Sequence, residues 1–327
     1  MRAMAALVSM AALAMAGSAA AQTAAQTWPQ RPITFIVSQS AGASPDVMAR
    51  MIATKLAAPL GQQVIIENKP GAGNVIGAQA AARAAPDGYT FFFATSAALV
   101  TNPYMVKNLV YDPAKDFVPV ALVTRSHQVI VVHPDVAAKS LADLIAVDKK
   151  EPGKLSVSVD GARNLAGVTA AALNKRAGTQ MVLVPSVNIN NGLQDTITGR
   201  TQVGIFSASI VEAHVRSGAL RALATASTHR LVAAPDVPAA AETLAGFDFS
   251  GWFMVMAPAG TPVDIVKKLN AAIGEATRDP QVRDLAPKLG FELDPKGVGS
   301  PEDAAEFLKI QLALWAKTTQ ELGIEPQ

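Results

Sequence analysis

The sequence predicts an α/β protein of two lobes joined by two crossing strands. Three observations carry that expectation. Strand-like runs alternate with helix-like runs along most of the chain, which is the pattern of a sheet covered by helices. Two long apolar stretches break the alternation and read as passages between halves. The chain of 327 residues has no cysteine, so no disulfide framework supports it and its stability must come from a large core. That length suggests two domains.

The elements follow in order. Arg2 precedes the apolar run "AMAALVSMAALAMAG", too short for a stable membrane anchor, and "SAAAQ" then presents small residues at Ala19 and Ala21. Residues 1–21 are therefore expected to be a cleaved secretory signal peptide. No stop-transfer pattern follows and no cysteine is present for a lipid anchor, so the mature chain is expected free outside the cytoplasmic membrane. The formal charge of +2 falls to +1 when Arg2 leaves. With basic residues scattered along the chain, nothing points to nucleic acid or to an anionic membrane.

"ITFIV" (33–37) is a β-branched and aromatic strand. "SPDVMARMIATKLAAPLG" after it has helical period, with Ser44 placed to cap, Pro45 in the first turn and Asp46 at the positive end of the dipole. The unit recurs. "QQVIIE" leads through "NKPGAGN" into "VIGAQAAARAA", and "GYTFFFAT" leads into "SAALVTNPYMV". "LSVSV" leads through "DGARN" into "LAGVTAAALNKRAG", and "TQVGIFS" into "ASIVEAHVRSG". Such spacing predicts parallel sheets with ligands at the carboxyl ends of the strands.

The crossings are "DFVPVALVTRSHQVIVVHP" (116–134) and "GFDFSGWFMVMAPAGTP" (246–262). They divide the chain into residues 28–123 with 250–327 as one lobe and 124–249 as the other. The tail, "SPEDAAEFLKIQLALWAKTTQELG", opens on a helix-start signature and keeps an apolar stripe through Phe307, Leu308, Leu312 and Trp315, which assigns Trp315 to packing.

Reactive chemistry is not written in the sequence. His127, His133, His214 and His229 lack the short helical spacing of a zinc site, so no metal or other cofactor is expected. There is no G-x-S-x-G elbow. Asp46, Asp87, Asp112, Asp116 and Asp160 sit beside turns or helix starts, where capping accounts for them. Gly71, Gly73 and Gly77 have one residue too many for a dinucleotide fingerprint. That leaves a tight loop passing close to neighbouring backbone, or a turn whose N–H groups bind an anion.

"WPQRPITFIV", "LGQQVIIENKPGAGNVIGAQAAARAAPDGYT", "YDPAKDFVPVALV", "SGALRALATAS", "PDVP" and "APAGTP", spread in order from Trp28 to Ile324, closely resemble the Bug-type solute receptors of the tripartite tricarboxylate transporter family. The resemblance implies a periplasmic binding protein of type 2 fold, a Venus flytrap whose lobes close over a carboxylate, amino acid or amide for delivery to a tripartite tricarboxylate-type permease. It implies a monomer, periplasmic and without stable membrane insertion, and no enzymatic step. A periplasmic enzyme on the same scaffold, or an orphan or sensory receptor with altered or lost binding, is the alternative.

The family's first loop, V-P-F-P-P-G-G-x-x-D, falls on "VSQSAGASPD", where Gly42 and Asp46 survive and Gln39 and Ser40 are polar newcomers. Its S-S-G-x-G-T-x-x-H stretch falls on "VDGARNLAG", keeping Gly161, and V-P-Y-K-G falls on "VPSVN". The implied ligand-binding residues are Ser38, Gln39, Ser40, Ala41, Gly42, Ala43, Asp46, Asn74, Thr95 and Ser96 from the first lobe. Asp160, Gly161, Arg163, Asn164 and Ser186 come from the second. Asp160 and Arg163 could together read a zwitterion; otherwise Asp160 caps the following helix and Arg163 faces solvent.

Overall fold

The computed structural model describes residues 28–162, 164–186, 188–231 and 234–326. The expected signal peptide and Arg163 lie outside the described residues.

Strand β1 (Ile33–Val37) leads into α1 (Ser44–Leu60), and β2 (Val64–Asn68) leads through a tight turn at Ala72–Asn74 into α2 (Val75–Ala82). Next come β3 (Thr90–Thr95), a wide helical turn at Ala97–Thr101 running into the short α3 (Asn102–Met105), and the long β4 (Phe117–Ser126). The second sheet is built from β5 (Gln128–Val132), β6 (Ser156–Val159), β7 (Val182–Pro185), β8 (Val203–Ser207) and β9 (Arg221–Thr225). Its helices are α4 (Leu141–Lys150), α5 (Leu165–Ala177), α6 (Ile189–Ile197) and α7 (Ala208–Arg216). The chain returns through β10 (Gly251–Pro258), α8 (Val263–Arg278), α9 (Pro280–Lys288), β11 (Phe291–Glu292) and α10 (Pro301–Leu322).

The six-stranded sheet has the order β11-β4-β10-β3-β1-β2 and the five-stranded sheet β7-β6-β8-β5-β9. The expected parallel pairing holds where a helix intervenes, between β1 and β2, β1 and β3, β6 and β7, and β6 and β8. It fails at the crossings: β10 runs antiparallel to β3 and β4, and β5 antiparallel to β8 and β9. Strands that pass between sheets have no crossover helix to reverse them, so they enter against the grain. The chain leaves the first sheet after Ser126, paired with Gly251, and enters the second at Gln128, paired with Ser207.

Period-two alternation sorts the core. On one face of the first sheet Phe35, Phe91, Phe93, Phe253 and Phe291 are buried among Met48, Ile52 and Leu56 of α1 and Leu269 and Ile273 of α8. Each such side chain contributes about 1.5–3 kcal/mol on burial. Ile36, Phe92, Met254 and Met256 face the other way, into a cluster that also holds Ile130, Val157 and Ile205 of the second sheet and Leu308 and Trp315 of α10. Trp315 packs edge-on against Phe249, with ring centroids 6.5 Å apart, as core rather than ligand platform. The expected start of α10 is present as a capping box, Ser300 Oγ accepting from the Asp303 N–H.

Candidate ligand-binding cleft

The loop after β1 is stiffened from within. Gly42, at φ 80°, donates its N–H to Asp46 Oδ2 at 2.8 Å, and Asn68 Nδ2 donates to Asp46 Oδ1 at 2.9 Å. Arg50 Nε adds bonds of 3.0 Å to both carboxylate oxygens. Burial by itself would raise the Asp46 pKa, but the bonds from Arg50, Gly42 and Asn68 outweigh it and hold the group below its usual value. The Asp46 carboxylate is thus occupied in shaping the loop. Ser44 does not cap α1 as its position suggests. The N-cap is Ala43, and the Ser44 hydroxyl instead lies 3.2 Å from Ser126 Oγ and 3.1 Å from Ser207 Oγ, linking first lobe, crossing and second lobe.

Two cavities open between the sheets. The larger, of about 620 Å³, is lined by Ser38, Gln39, Ser40, Ala43, Asn74, Asn102, Asp160, Gly161, Asn164, Ser186 and the turn Pro70–Val75. That volume is within the roughly 300–1,000 Å³ of small-molecule sites. The smaller, of about 60 Å³, is lined by Gln39, Ala43, Ser44, Thr95, Ser96, Ser126, Gln128, Asp160, Asn164 and Ser207, with Phe206, Phe253 and Ile189 as apolar walls. Gln39, Ala43, Asp160, Asn164 and Ile189 border both. Of the expected site residues, Ser38, Gln39, Ser40, Ala43, Asn74, Thr95, Ser96, Asp160, Gly161, Asn164 and Ser186 are brought together here. Ala41, Gly42 and Asp46 line neither cavity.

The glycine-rich turn forms one wall. Asn74 accepts a 3.0 Å bond from Ser38 Oγ and donates through Nδ2 to Asn164 Oδ1 at 3.3 Å, joining the lobes across the cleft. Gly77 explains the third glycine: a Cβ there would stand 2.7 Å from the Ser38 Cα and 2.9 Å from the Lys69 carbonyl. The motif is a close backbone approach of α2 to the end of β1.

Asp160 follows β6 and does not cap α5. The N-cap is Asn164, whose Nδ2 donates to the Asp160 carbonyl at 2.8 Å. Among the described residues Asp160 Oδ1 is buried without a partner. Burial pushes the carboxyl up to about 6, partly offset by hydrogen bonds from backbone and Asn164. Helices α1, α5, α6 and α7 all begin at the cleft, at Ser44, Leu165, Ile189 and beside Ser207. Their N-termini concentrate positive potential there. No lysine or arginine among the described residues lines either cavity.

Sequence reasoning missed Ser126, Gln128 and Ser207, because they lie in strands whose pairing across the crossing only the folded chain reveals. Among the described residues Gln128 Oε1 is buried and unpartnered. The available signal was position: Ser126 and Gln128 border the place where the chain changes sheet, whereas Ser207 reaches it only through its pairing with Gln128.

The profile of the tripartite tricarboxylate transporter family receptors (TctC) matches residues 48–324. The chain belongs to that family. BugT of Bordetella pertussis is 34% identical over 306 residues, covering 93% of this chain and 93% of its own. Among solved structures, Rpa4515 of Rhodopseudomonas palustris with adipate is 29% identical with a TM-score of 0.87, over 92% of this chain and 100% of that one. MatC of the same organism with bound malate is 29% identical with a TM-score of 0.82, over 89% and 99%. The receptor therefore has the two-lobed periplasmic binding protein fold, of Bug type. Among its described residues no helix is long and apolar enough to cross a membrane.

Proposed function

We propose that this receptor works in the periplasm, as a monomer, and captures a small carboxylate that also carries a hydrogen-bond donor, delivering it to a tripartite tricarboxylate-type permease. The observation that carries the reading is the lining of the cleft: four helix N-termini converge on cavities whose described walls hold no cationic side chain and one acid, Asp160. Helix starts and hydroxyls can hold an anion without arginine. Adipate and malate in the two related structures support a carboxylate in that role. Asp160 then faces the other end of the ligand, where an ionised carboxylate accepts from a hydroxyl, amide or ammonium group and repels a second carboxylate.

Capture requires no reactive side chain. A ligand touching both lobes favours the closed form by its differential affinity, and the Asn74–Asn164 and Ser44–Ser207 bonds are the contacts that closure makes. Thermal melts with succinate, adipate, malate, amino acids and amides test the proposal, since a ligand at 100 times its Kd stabilises by about 2.7 kcal/mol. Hydroxy acids, amino acids or acid amides are expected to give the largest shifts. Equal stabilisation by succinate or adipate removes the donor requirement, and no shift with any carboxylate removes the carboxylate.

A further inference from the structure

Where β4 passes into β5, at His127 between the cavity-lining Ser126 and Gln128, three groups remote in sequence meet. His127 Nε2 lies 2.7 Å from Glu292 Oε2, and His229 Nε2 lies 3.1 Å from the same oxygen. All three donor atoms are within 4.8 Å of one another, and the imidazole planes cross at 81° with centroids 5.6 Å apart. We propose that His127, His229 and Glu292 form a hinge site for a borderline divalent cation such as Zn²⁺.

The donor set is that of zinc: two imidazole nitrogens and a carboxylate oxygen, with a fourth position left for water. Ca²⁺ and Mg²⁺ prefer all-oxygen sites. Ligand distances of about 2.0–2.2 Å in a tetrahedron place donors about 3.4 Å apart, so the cluster needs to open its 2.7 Å and 3.1 Å imidazole–carboxylate separations by about 0.7 Å and 0.3 Å. It can, because its members differ in freedom. His127 is 1% exposed and held, whereas the His229 side chain is 54% and Glu292 42% exposed, which also gives an ion a way in.

The supporting contacts are those a metal ligand needs. Ser250 Oγ donates to Asp248 Oδ1 at 2.7 Å, which turns a lone pair toward His127 Nδ1, 3.1 Å away. A proton on Nδ1 leaves Nε2 for the metal, which replaces the proton shared with Glu292. Glu292 is fixed in turn by pairing with Arg125 and by the Thr124 hydroxyl, which donates to its carbonyl at 2.9 Å. Glu292 belongs to the first sheet and His229 follows β9 of the second, so the ion bridges the lobes beside the crossing strand.

The test is calorimetric titration of untagged, chelator-stripped mature protein with Zn²⁺, alongside Mg²⁺ and Ca²⁺. One Zn²⁺ per chain is expected, with little response to the other two, and Co²⁺ is expected to give the visible absorption of a tetrahedral site. E292Q and H229A should each weaken Zn²⁺ at least about tenfold. H133A, which removes an imidazole that lies beside Asp135 and outside the cluster, should leave it unchanged. The exposed His229 makes H229A the variant that keeps the fold, checked by its melting curve. No Zn²⁺ binding by the folded protein, or equal binding by wild type and H229A, shows a hydrogen-bonded cluster without a metal and overturns the proposal.

Discussion

Asp160 shows how one residue can set both ligand choice and pH behaviour. Its carboxyl is pushed up to about 6 by burial, so the folded chain holds this proton to higher pH than the unfolded chain does. Between the ordinary value of about 3.9 and that raised value the folded state binds more protons, and stability from this group falls as pH rises. The loss is complete above the raised value. Asp160→Asn is therefore expected to stabilise the ligand-free protein at pH 8 by on the order of 1–2 kcal/mol and to leave it unchanged at pH 4, compared by urea unfolding. A destabilised variant at pH 8 would mean that the carboxylate has a favourable partner. The sequence placed Asp160 at the cleft but allowed it to be a helix cap, as it did for Ser44 and Asp46. Spacing lists which caps are possible, and competing partners such as Gly42, Ser126 and Ser207 decide among them.

At the scale of elements, the turn between β2 and α2 was legible as glycine-rich and not as a nucleotide loop. A close approach to neighbouring backbone was one of the two readings left open, but not which backbone, since a contact between Gly77 and Ser38 depends on how α2 lies against β1. Gly77→Ala is expected to destabilise by about 1–3 kcal/mol, as an overpacked core position does, measured by chemical denaturation. The same substitution pushes on the Ser38 that holds Asn74 and should weaken ligand binding, because the Asn74–Asn164 link depends on that wall. An alanine variant as stable and as tight as the parent would show that α2 can back away. Strand and helix alternation was readable from period alone, whereas antiparallel pairing of β5 and β10 was not: period reports which faces are buried and carries no strand direction.

For the whole molecule, α10 is the element that makes two sheets one body. Trp315 lies in the apolar cluster shared by both sheets, and Arg176 of α5 forks onto Glu321 with bonds of 3.1 Å from Nε and Nη2. Trp315→Ala is expected to cost about 3–5 kcal/mol, with unfolding still a single transition when followed by fluorescence and circular dichroism together. Two separated transitions would mean that the lobes have independent cores. The sequence by itself determined the alternating elements, the two passages between halves, the family motifs and most of the cleft loops, because these follow from local period, turn chemistry and chain order. Only the tertiary structure decided that Ser44, Ser126 and Ser207 meet, that Asp160 Oδ1 is buried without a partner among the described residues, and that His127, His229 and Glu292 converge at the crossing. Those outcomes depend on which strands pair and which groups lose water, and neither is encoded within any window of sequence short enough to read.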